Sequence, residues 1–508
     1  MKMANFFDLI RQSALDLDKV AIEAPDGTLM SYRDLFARSA KAANALVELG
    51  VEPGDRVAAQ VDKSPDVVVL YLACLRAGAV LLPLNTAYTP AELSYFLGDA
   101  QPTLMLCRPS ALPQMRELGR SLDTMRVESL GARRDGTFVE LLERLPDSDI
   151  IIPRHGDDLA AILYTSGTTG RSKGAMLTHA NLASNAAALV AEWRFAAEDV
   201  LIHALPVFHT HGLFVAINVS LLSGATMLFQ PGFDADAIVA ALPRATVLMG
   251  VPTFYVRLLE HEGVSGHSTG HIRLFVSGSA PLLPETHKAW LAKTGQVILE
   301  RYGMTETNMI TSNPYEGARR PGAVGFPLPG VSLRIVDPDS GMRCTAGETG
   351  MIEVAGPGVF KGYWRMPEKT RQEFRGDGYF ITGDLGKIDD DGYVHIVGRA
   401  KDLIITGGYN VYPAEIEAEI DAIDGVRESA VIGLPHRDFG EGVAAVVVAG
   451  AGAKLAETDI LAALAPRLAR YKQPKRALIV DELPRNAMGK VQKAALRETF
   501  KALFEPGS

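Results

Sequence analysis

Short apolar runs typical of strands alternate with helical patterns through most of this chain, and this alternation constrains the fold more than any other feature. Residues 57–61 and 80–84 each predict a strand, and residues 65–77 between them predict a helix. The same order returns with a strand at 159–165 and a helix at 178–189. The pattern is typical of an α/β protein. A length of 508 residues is enough for about three or four folding units.

The composition and the predicted secondary structure change twice toward the end of the sequence. From about residue 320 short strands, glycines and turns predominate, among them a hairpin whose turn is predicted at 389–392. A further unit with helices and strands follows Lys401. We therefore predict an N-terminal domain over residues 1–400, made of two α/β subdomains and a small β-barrel-like subdomain at about 320–400. An α+β C-terminal domain is predicted over 401–508.

Composition and charge exclude several classes of protein. No apolar stretch approaches the roughly 18–20 residues that cross a bilayer, and residues 443–453 fit a buried strand with its turn. The formal net charge of −9 argues against nucleic acid or an acidic membrane as a partner. Cys74, Cys107 and Cys344 stand far apart and are expected to be reduced thiols, and the first residues lack the pattern of a secretory signal. We expect a cytoplasmic protein with small-molecule substrates, working as a monomer or small homo-oligomer.

The most informative motif is the segment YTSGTTGRSKG at residues 164–174. It follows a predicted strand and precedes a predicted helix, where loops of α/β proteins commonly bind ligands. Its glycines allow the backbone to approach a phosphate, and its hydroxyls and basic side chains are donors for phosphate oxygens. The candidate phosphate-binding residues are Thr165, Ser166, Gly167, Thr168, Thr169, Gly170 and Lys173. A flexible surface loop is the alternative, and a Walker A loop is excluded because no Gly-Lys-Ser/Thr ends the segment.

Further motifs follow in an order that resembles the adenylate-forming superfamily of acyl-CoA synthetases, firefly luciferase and peptide-synthetase adenylation domains. They are ERYGMTE at 300–306, TGD at 382–384, GRAKD at 398–402 and PRNAMGK at 484–490. Taken alone, the first of them would favour a helix start. The resemblance implies that the N-terminal domain binds AMP, that the C-terminal domain is mobile, and that ATP, Mg²⁺ and coenzyme A are used.

The resemblance also assigns roles to individual residues. For the nucleotide it implies that Tyr302 stacks on adenine, Thr305 contacts the α-phosphate, Glu306 holds Mg²⁺, and Asp384 and Arg399 bind ribose. For the moving domain it implies that Lys490 is the catalytic lysine, Lys401 the hinge, and Gly408 and Tyr409 part of the thiol channel.

The acid substrate is indicated by a second group of motifs. Histidines 203, 209 and 211 cluster in sequence, but no third ligand of suitable spacing argues for zinc. Together with VPTFYVR at 251–257 and SGSAPL at 277–282, the segment HTHGL at 209–213 resembles malonyl-CoA synthetases. That resemblance implies that Arg257 pairs with the distal carboxylate of malonate, with Ser279 and His211 assisting. Thr210 and Met309 would then flank the central carbon and decide whether methylmalonate fits.

We therefore predict an ATP-dependent ligase that joins malonate, and by the same pocket methylmalonate, to coenzyme A through an acyl-adenylate. A small diacid offers little apolar surface, so a guanidinium is a natural anchor for its second carboxylate. The alternatives are a synthetase for another small, aryl or medium-chain acid, and an amino-acid adenylating enzyme. A nucleotide-binding regulator that has lost catalysis is less compatible with the joint presence of Glu306, Asp384, Arg399 and Lys490.

Overall fold

The computed structural model describes residues 5–122, 125–165, 172–406, 409–486 and 489–504. The strands, in chain order, are β1 (Val20–Glu23), β2 (Leu29–Ser31), β3 (Arg56–Gln60), β4 (Val80–Pro83), β5 (Leu104–Cys107), β6 (Arg126–Ser129), β7 (Leu159–Thr165), β8 (Lys173–Thr178), β9 (Val200–His203), β10 (Thr226–Phe229), β11 (Val247–Gly250), β12 (Leu274–Ser277), β13 (Ile298–Met304), β14 (Asn308–Ser312), β15 (Phe326–Pro327), β16 (Ser332–Val336), β17 (Gly350–Ala355), β18 (Phe380–Ile388), β19 (Val394–Arg399), β20 (Ile404–Thr406), β21 (Tyr409–Val411), β22 (Val426–His436), β23 (Gly440–Ala449) and β24 (Arg476–Val480).

The α-helices are α1 (Phe6–Ser13), α2 (Tyr32–Glu48), α3 (Pro65–Ala77), α4 (Pro90–Ala100), α5 (Leu112–Ser121), α6 (Thr137–Leu142), α7 (His179–Glu192), α8 (Asn218–Ser223), α9 (Ala235–Ala241), α10 (Pro252–Glu260), α11 (Gly266–Thr269), α12 (Pro284–Thr294), α13 (Pro367–Glu373), α14 (Pro413–Asp421), α15 (Glu457–Leu464) and α16 (Lys493–Thr499). A π-helix, His211–Ile217, leads directly into α8. None of the helices in these described ranges is long and apolar enough to cross a membrane.

The first α/β lobe is built on a six-stranded sheet in the order β6-β5-β3-β4-β7-β8. Its strands are parallel except for β8, which runs antiparallel to β7. Helix α3 has the predicted bounds, and because it is apolar on all sides it lies inside the protein. The strand predictions at 57–61, 80–84 and 159–165 are confirmed by β3, β4 and β7.

The second lobe is built on a nine-stranded sheet in the order β15-β14-β13-β12-β11-β9-β10-β1-β2. The strands from β13 to β1 in this order pair in parallel. The carboxyl ends of β9, β11, β12 and β13 therefore lie at one edge of the sheet, where α/β proteins commonly bind ligands. The alternative of a helix start at the ERYGMTE motif is wrong, because β13 and β14 form an antiparallel hairpin there.

The two remaining sheets belong to the last third of the chain. Strands β16 to β19 form an antiparallel sheet, and the predicted turn at 389–392 joins β18 to β19. The last sheet has the order β21-β20-β23-β22, with β24 pairing β23 in parallel. Alternate residues of β23 face two separate apolar clusters, which explains the near-continuous apolar run at 443–448. The C-terminal part of the chain therefore has cores of its own.

Candidate active site

The tyrosine of the ERYGMTE motif meets the TGD and GRAKD motifs at one place. The Tyr302 hydroxyl donates a hydrogen bond to Asp384 Oδ2 at 2.5 Å. Arg399 Nε lies 2.7 Å from the other oxygen, Asp384 Oδ1. Asp384 and Arg399 reach this point because they are directly opposed partners in the β18–β19 ladder. The predicted ribose and adenine residues thus form one cluster.

Glu306 lies in the turn between β13 and β14, directly after Thr305. Its side chain is buried, and Oε1 accepts hydrogen bonds from Thr165 Oγ1 at 3.4 Å and from the Tyr363 hydroxyl at 3.1 Å. Burial raises the pKa of Glu306. One carboxylate that is held beside a phosphate-binding strand fits Mg²⁺, which is typically bound by one or two carboxylates together with substrate phosphates and water. Among the described residues no cluster of three or more His, Cys, Asp or Glu could hold a metal by itself.

Lys173 lies at the start of β8 and is engaged in an ion pair. Its Nζ lies 3.0 Å from Glu373 Oε1 and 4.2 Å from the centre of the Tyr363 ring. The Tyr363 hydroxyl also lies 2.6 Å from Glu373 Oε2 and so connects Glu373 to Glu306. Tyr363 and Glu373 were not predicted from the sequence. They surround Lys173 at the exit of the phosphate-binding motif.

The centre of that motif cannot be compared with the prediction. The predicted phosphate-binding residues outside the described ranges are Ser166, Gly167, Thr168, Thr169 and Gly170. Thr165 and Lys173 bound the motif and are opposed in the β7–β8 ladder.

Lys490 reaches the N-terminal site from the end of the chain. Burial and the positive charge of Arg399 lower its pKa to about 8, while Asp384 and Glu306 raise it. Gly489 has a φ of +74°, and a Cβ there would lie 3.3 Å from Thr253 Oγ1 at the start of α10. A glycine is therefore needed at this approach, since other residues rarely adopt this φ. The predicted catalytic lysine is thus among the nucleotide residues.

The acid pocket predicted around the HTHGL motif contains polar groups without partners. His211 Nδ1 lies 3.2 Å from Ser279 Oγ, whereas His211 Nε2 and Thr210 Oγ1 are buried and have no hydrogen-bond partner in the described structure. Burial lowers the pKa of His211 well below its usual range. Ser279 has a φ of +73°, which few residues other than glycine adopt and which is frequent at functional sites. Met309 is buried on β14.

Arg301 is a functional candidate that the sequence reasoning missed. It lies on β13 with 3% of its surface exposed, and neither Nε nor Nη2 has a hydrogen-bond partner among the described residues. Gly278 makes room for it, because a Cβ there would lie 2.5 Å from Arg301 Cζ. Burial lowers the pKa of Arg301 to about 9, and its charge in turn lowers the pKa of His209 and His211. No signal for this role is present in the sequence, because Glu300 beside it on β13 is charged as well and the burial of Arg301 depends on tertiary contacts.

Arg257, the predicted carboxylate anchor, lies in different surroundings. It is exposed in the last turn of α10, with its guanidinium 5.5 Å from the centre of the Phe233 ring. No ion pair of Arg257 occurs within the described ranges. Its contact with the acid therefore stays a prediction.

The hinge and thiol-channel predictions are partly outside the described structure. Lys401 lies in a 3₁₀ turn at Ala400–Asp402, between the last strand of the β-rich sheet and the C-terminal sheet. Gly408 falls outside the described residues. Tyr409 is 58% exposed and stacks on Tyr471, with ring centres 4.7 Å apart. Their roles stay predictions.

Comparison with known proteins agrees with this geometry. A model of the AMP-binding enzyme family matches residues 9–364, and a model of the AMP-binding enzyme C-terminal domain matches residues 415–490. The chain therefore belongs to the AMP-binding enzyme family.

Relatives cover almost the whole chain. ATP-bound MatB from Rhodopseudomonas palustris is 58% identical, with 99% of each chain covered and a TM-score of 0.97, whereas apo MatB from that organism gives a TM-score of 0.86. The mitochondrial malonate–CoA ligase of Mus musculus is 36% identical over 94% of this chain and 87% of that protein. A feruloyl-CoA synthase of an Amycolatopsis species is also 36% identical, over 93% and 94%.

Proposed function

We propose that this enzyme ligates malonate to coenzyme A through a malonyl-adenylate, with release of AMP and pyrophosphate. The observation that carries the choice of acid is a set of buried atoms without hydrogen-bond partners among the described residues, namely Nε and Nη2 of Arg301, Nε2 of His211 and Oγ1 of Thr210. The charge of Arg301 also lowers the pKa of the nearby His211. Buried polar groups of this kind are costly unless a ligand satisfies them. A second carboxylate on a short acid would supply the missing partners.

A malonate–CoA ligase and a feruloyl-CoA synthase are each 36% identical to this chain, whereas MatB of Rhodopseudomonas palustris is 58% identical and so weighs more in the choice. The chemistry of the pocket favours the diacid. An aryl or long-chain acid brings apolar surface and would leave Arg301 buried without an anion, which costs several kcal/mol. We propose methylmalonate as a second substrate, with the buried Thr210 and Met309 as the residues that would flank the central carbon.

In the first step one carboxylate of the acid attacks the α-phosphorus of ATP. An oxygen–phosphorus bond forms, the bond to the β-phosphate oxygen breaks, and pyrophosphate leaves. The Lys490 ammonium and Thr305 are placed to stabilise negative charge on the α-phosphate oxygens. Glu306 would hold Mg²⁺, which when bound neutralises phosphate charge. Asp384 and Arg399 would orient the ribose through the ion pair that already fixes them.

In the second step the thiol of coenzyme A attacks the activated carbonyl and AMP leaves with the bonding electrons. We propose that the C-terminal domain turns about Lys401 between the steps and withdraws Lys490 from the site. The ATP-bound and apo structures of MatB match this chain to different extents, so that relative adopts two conformations. No covalent intermediate on the enzyme is required.

The experiment that tests the proposal is AMP release with coenzyme A across a panel of malonate, methylmalonate, acetate, ferulate and a long-chain acid. We expect kcat/KM for malonate to exceed that for acetate by at least about 100-fold, because acetate leaves the buried polar groups unpaired. A preference for acetate, ferulate or the long-chain acid would contradict the malonate assignment and leave the acid–CoA ligase class intact.

We also propose a cytoplasmic enzyme that works as a monomer or a small homo-oligomer. Three free cysteines fit a reducing compartment, and burial raises the pKa of Cys74 strongly and that of Cys107 to about 11. Cell fractionation and light scattering of the purified chain test the two parts of this proposal. Recovery in a secreted or membrane fraction, or assembly into large oligomers, would contradict it.

A further inference from the structure

Lys63 lies in the short connection between β3 and α3, in the first lobe, yet its contacts are with the second lobe. Its Nζ donates to the backbone oxygen of His203 at 2.7 Å and lies 2.8 Å from His203 Nδ1. The same Nζ lies 4.5 Å from the centre of the Phe229 ring. No carboxylate pairs with Lys63 in the part of the chain that the structure describes. The Lys63 amine is therefore held by His203 and Phe229 and not by an ion pair.

The contacts of His203 define one tautomer of its ring. Nε2 lies 2.9 Å from the backbone oxygen of Gly212, which can only accept, so Nε2 carries a proton. His203 is completely buried, and both burial and Lys63 lower its pKa well below its usual range. The ring is therefore neutral, and Nδ1 is left with a lone pair that accepts from Lys63. This assignment holds whether Lys63 is charged or neutral, because both forms donate.

Gly212 connects this ring to the acid pocket. It is the second residue of the π-helix, and a Cβ at Gly212 would lie 2.0 Å from the backbone oxygen of Pro206. The preceding residue is His211, whose Nδ1 contacts Ser279 and whose Nε2 has no partner. The carbonyl held by His203 thus belongs to the turn that orients His211. Isolated π-helical turns of this kind are frequent at functional sites.

We propose that Lys63 is a positioning residue for the acid pocket. By donating to Nδ1 it holds the ring of His203 in place, and His203 in turn holds the Gly212 carbonyl and so the orientation of His211 toward the acid. Lys63 does not touch the substrate in this scheme. The inference rests on the proposed function in one respect, which is that the pocket beside His211 receives the acid. It extends that function by making a residue of the first lobe contribute to acid affinity.

Steady-state kinetics of Lys63→Met, with Lys288→Met as the matched control, are the first test. The methionine keeps the length and removes the donor, while Lys288 is 70% exposed at its side chain. We expect KM for the acid to rise between about 10- and 100-fold, as for other small displacements of a positioned group. The KM for ATP should change less than about twofold. The control should leave both constants unchanged.

The second test is the hydrogen bond at His203 Nδ1, observed by ¹⁵N NMR of the full-length protein with labelled histidines. His203→Gln identifies the signals, and glutamine keeps a donor for the Gly212 carbonyl. We expect the Nδ1 signal of His203 to shift in Lys63→Met, because Nδ1 loses its donor, while Nε2 stays protonated through its bond to the Gly212 carbonyl. The kinetic effects of Lys63→Met and His203→Gln should also be non-additive, because the first is expected to act through the second.

Two results would overturn the inference. One is an unchanged KM for the acid in Lys63→Met, and the other is an equal rise in the KM for acid and for ATP with an unchanged His203 signal. If Lys63→Met does not fold, Lys63→Leu, which also removes the donor, is measured in its place by the same criteria. The kinetics use whichever acid the substrate panel prefers, so a failure of the malonate assignment does not affect this test.

Discussion

Two arginines are candidates for binding the second carboxylate of the acid, and they lie in different surroundings. Arg301 is buried on a strand with part of its guanidinium unpaired, whereas Arg257 is exposed at the end of a helix. A buried cation without an anionic partner is costly in free energy, so such a residue is expected to pair with an anionic ligand. Exposed arginines usually contribute little, because water and salt screen them.

We therefore predict that Arg301→Met lowers kcat/KM for malonate by a factor that corresponds to about 2–5 kcal/mol, because a fully desolvated charge pair is lost. The value of kcat/KM for acetate, which has no second carboxylate, should fall much less. Arg257→Met is the matched comparison. If Arg257 pairs with the distal carboxylate, as the sequence-based prediction has it, this variant should also lower kcat/KM for malonate. The measurement is kcat/KM for both acids with each variant. Equal losses for acetate and malonate in Arg301→Met would contradict an anchoring role.

The residues that could be predicted from the sequence are those in motifs that follow one another in a recognisable order along the chain. Tyr302, Glu306, Asp384, Arg399 and Lys490 were predicted, and the structure brings them together. Arg301, Tyr363 and Glu373 could not be predicted, because their contacts are tertiary. An arginine on a strand gives no indication that its guanidinium will lie against a glycine that follows another strand, and Tyr363 contacts Glu306 across 57 residues.

Lys490 should give the adenylation step a pH dependence. Its pKa is lowered to about 8 by burial and Arg399, so the ammonium is present below that pH and is lost as the pH rises through it. We expect kcat/KM for ATP to fall above about pH 8, by up to about tenfold per pH unit. Lys490→Arg keeps a permanent charge and should be slower but flat over this range. A decline of the same shape in both enzymes would contradict this assignment.

At the scale of elements, the sequence predicted the bounds of a helix or strand well where the residues that start or stop it lie next to it in the chain. Helix α2 is capped by Ser31 through a capping box with Asp34, a local sequence signal, and α3 has the predicted bounds. The ERYGMTE segment could not be predicted in this way, because its hairpin depends on pairing with β12 in a parallel sheet. The same holds for the π-helix, whose register follows from tertiary contacts of Gly212.

The π-helix gives a prediction at this scale. Gly212→Ala places a methyl group 2.0 Å from a backbone oxygen, so the first turn must shift. We expect a loss of about 1–3 kcal/mol in the free energy of unfolding of the N-terminal part, measured in urea, together with a higher KM for the acid. Gly232→Ala is the control, since a methyl group there meets no atom within 4 Å. A Gly212→Ala enzyme with unchanged stability and KM would contradict the need for glycine.

At the scale of the whole molecule, the two half-reactions should separate. Lys490→Ala should abolish adenylation of malonate, because the buried charge at the α-phosphate is lost. The same variant should still convert preformed malonyl-adenylate and coenzyme A to the thioester, since the proposed movement withdraws Lys490 before that step. Pyrophosphate release and thioester formation measure the steps separately. An equal loss of both would contradict the assigned role.

Lys490, the proposed catalytic lysine, lies on a part of the chain that has its own cores and is joined to the rest near Lys401. The connection therefore sets the local concentration of the catalytic ammonium, which for short flexible connections is in the range of about millimolar. Lengthening it after Asp402 with Gly-Ser repeats should slow adenylation roughly as the −3/2 power of its length. The KM of the acid should not change, because the pocket lies in the other part. An adenylation rate that is independent of length would mean that the interface between the domains, and not the connection, governs delivery of the lysine.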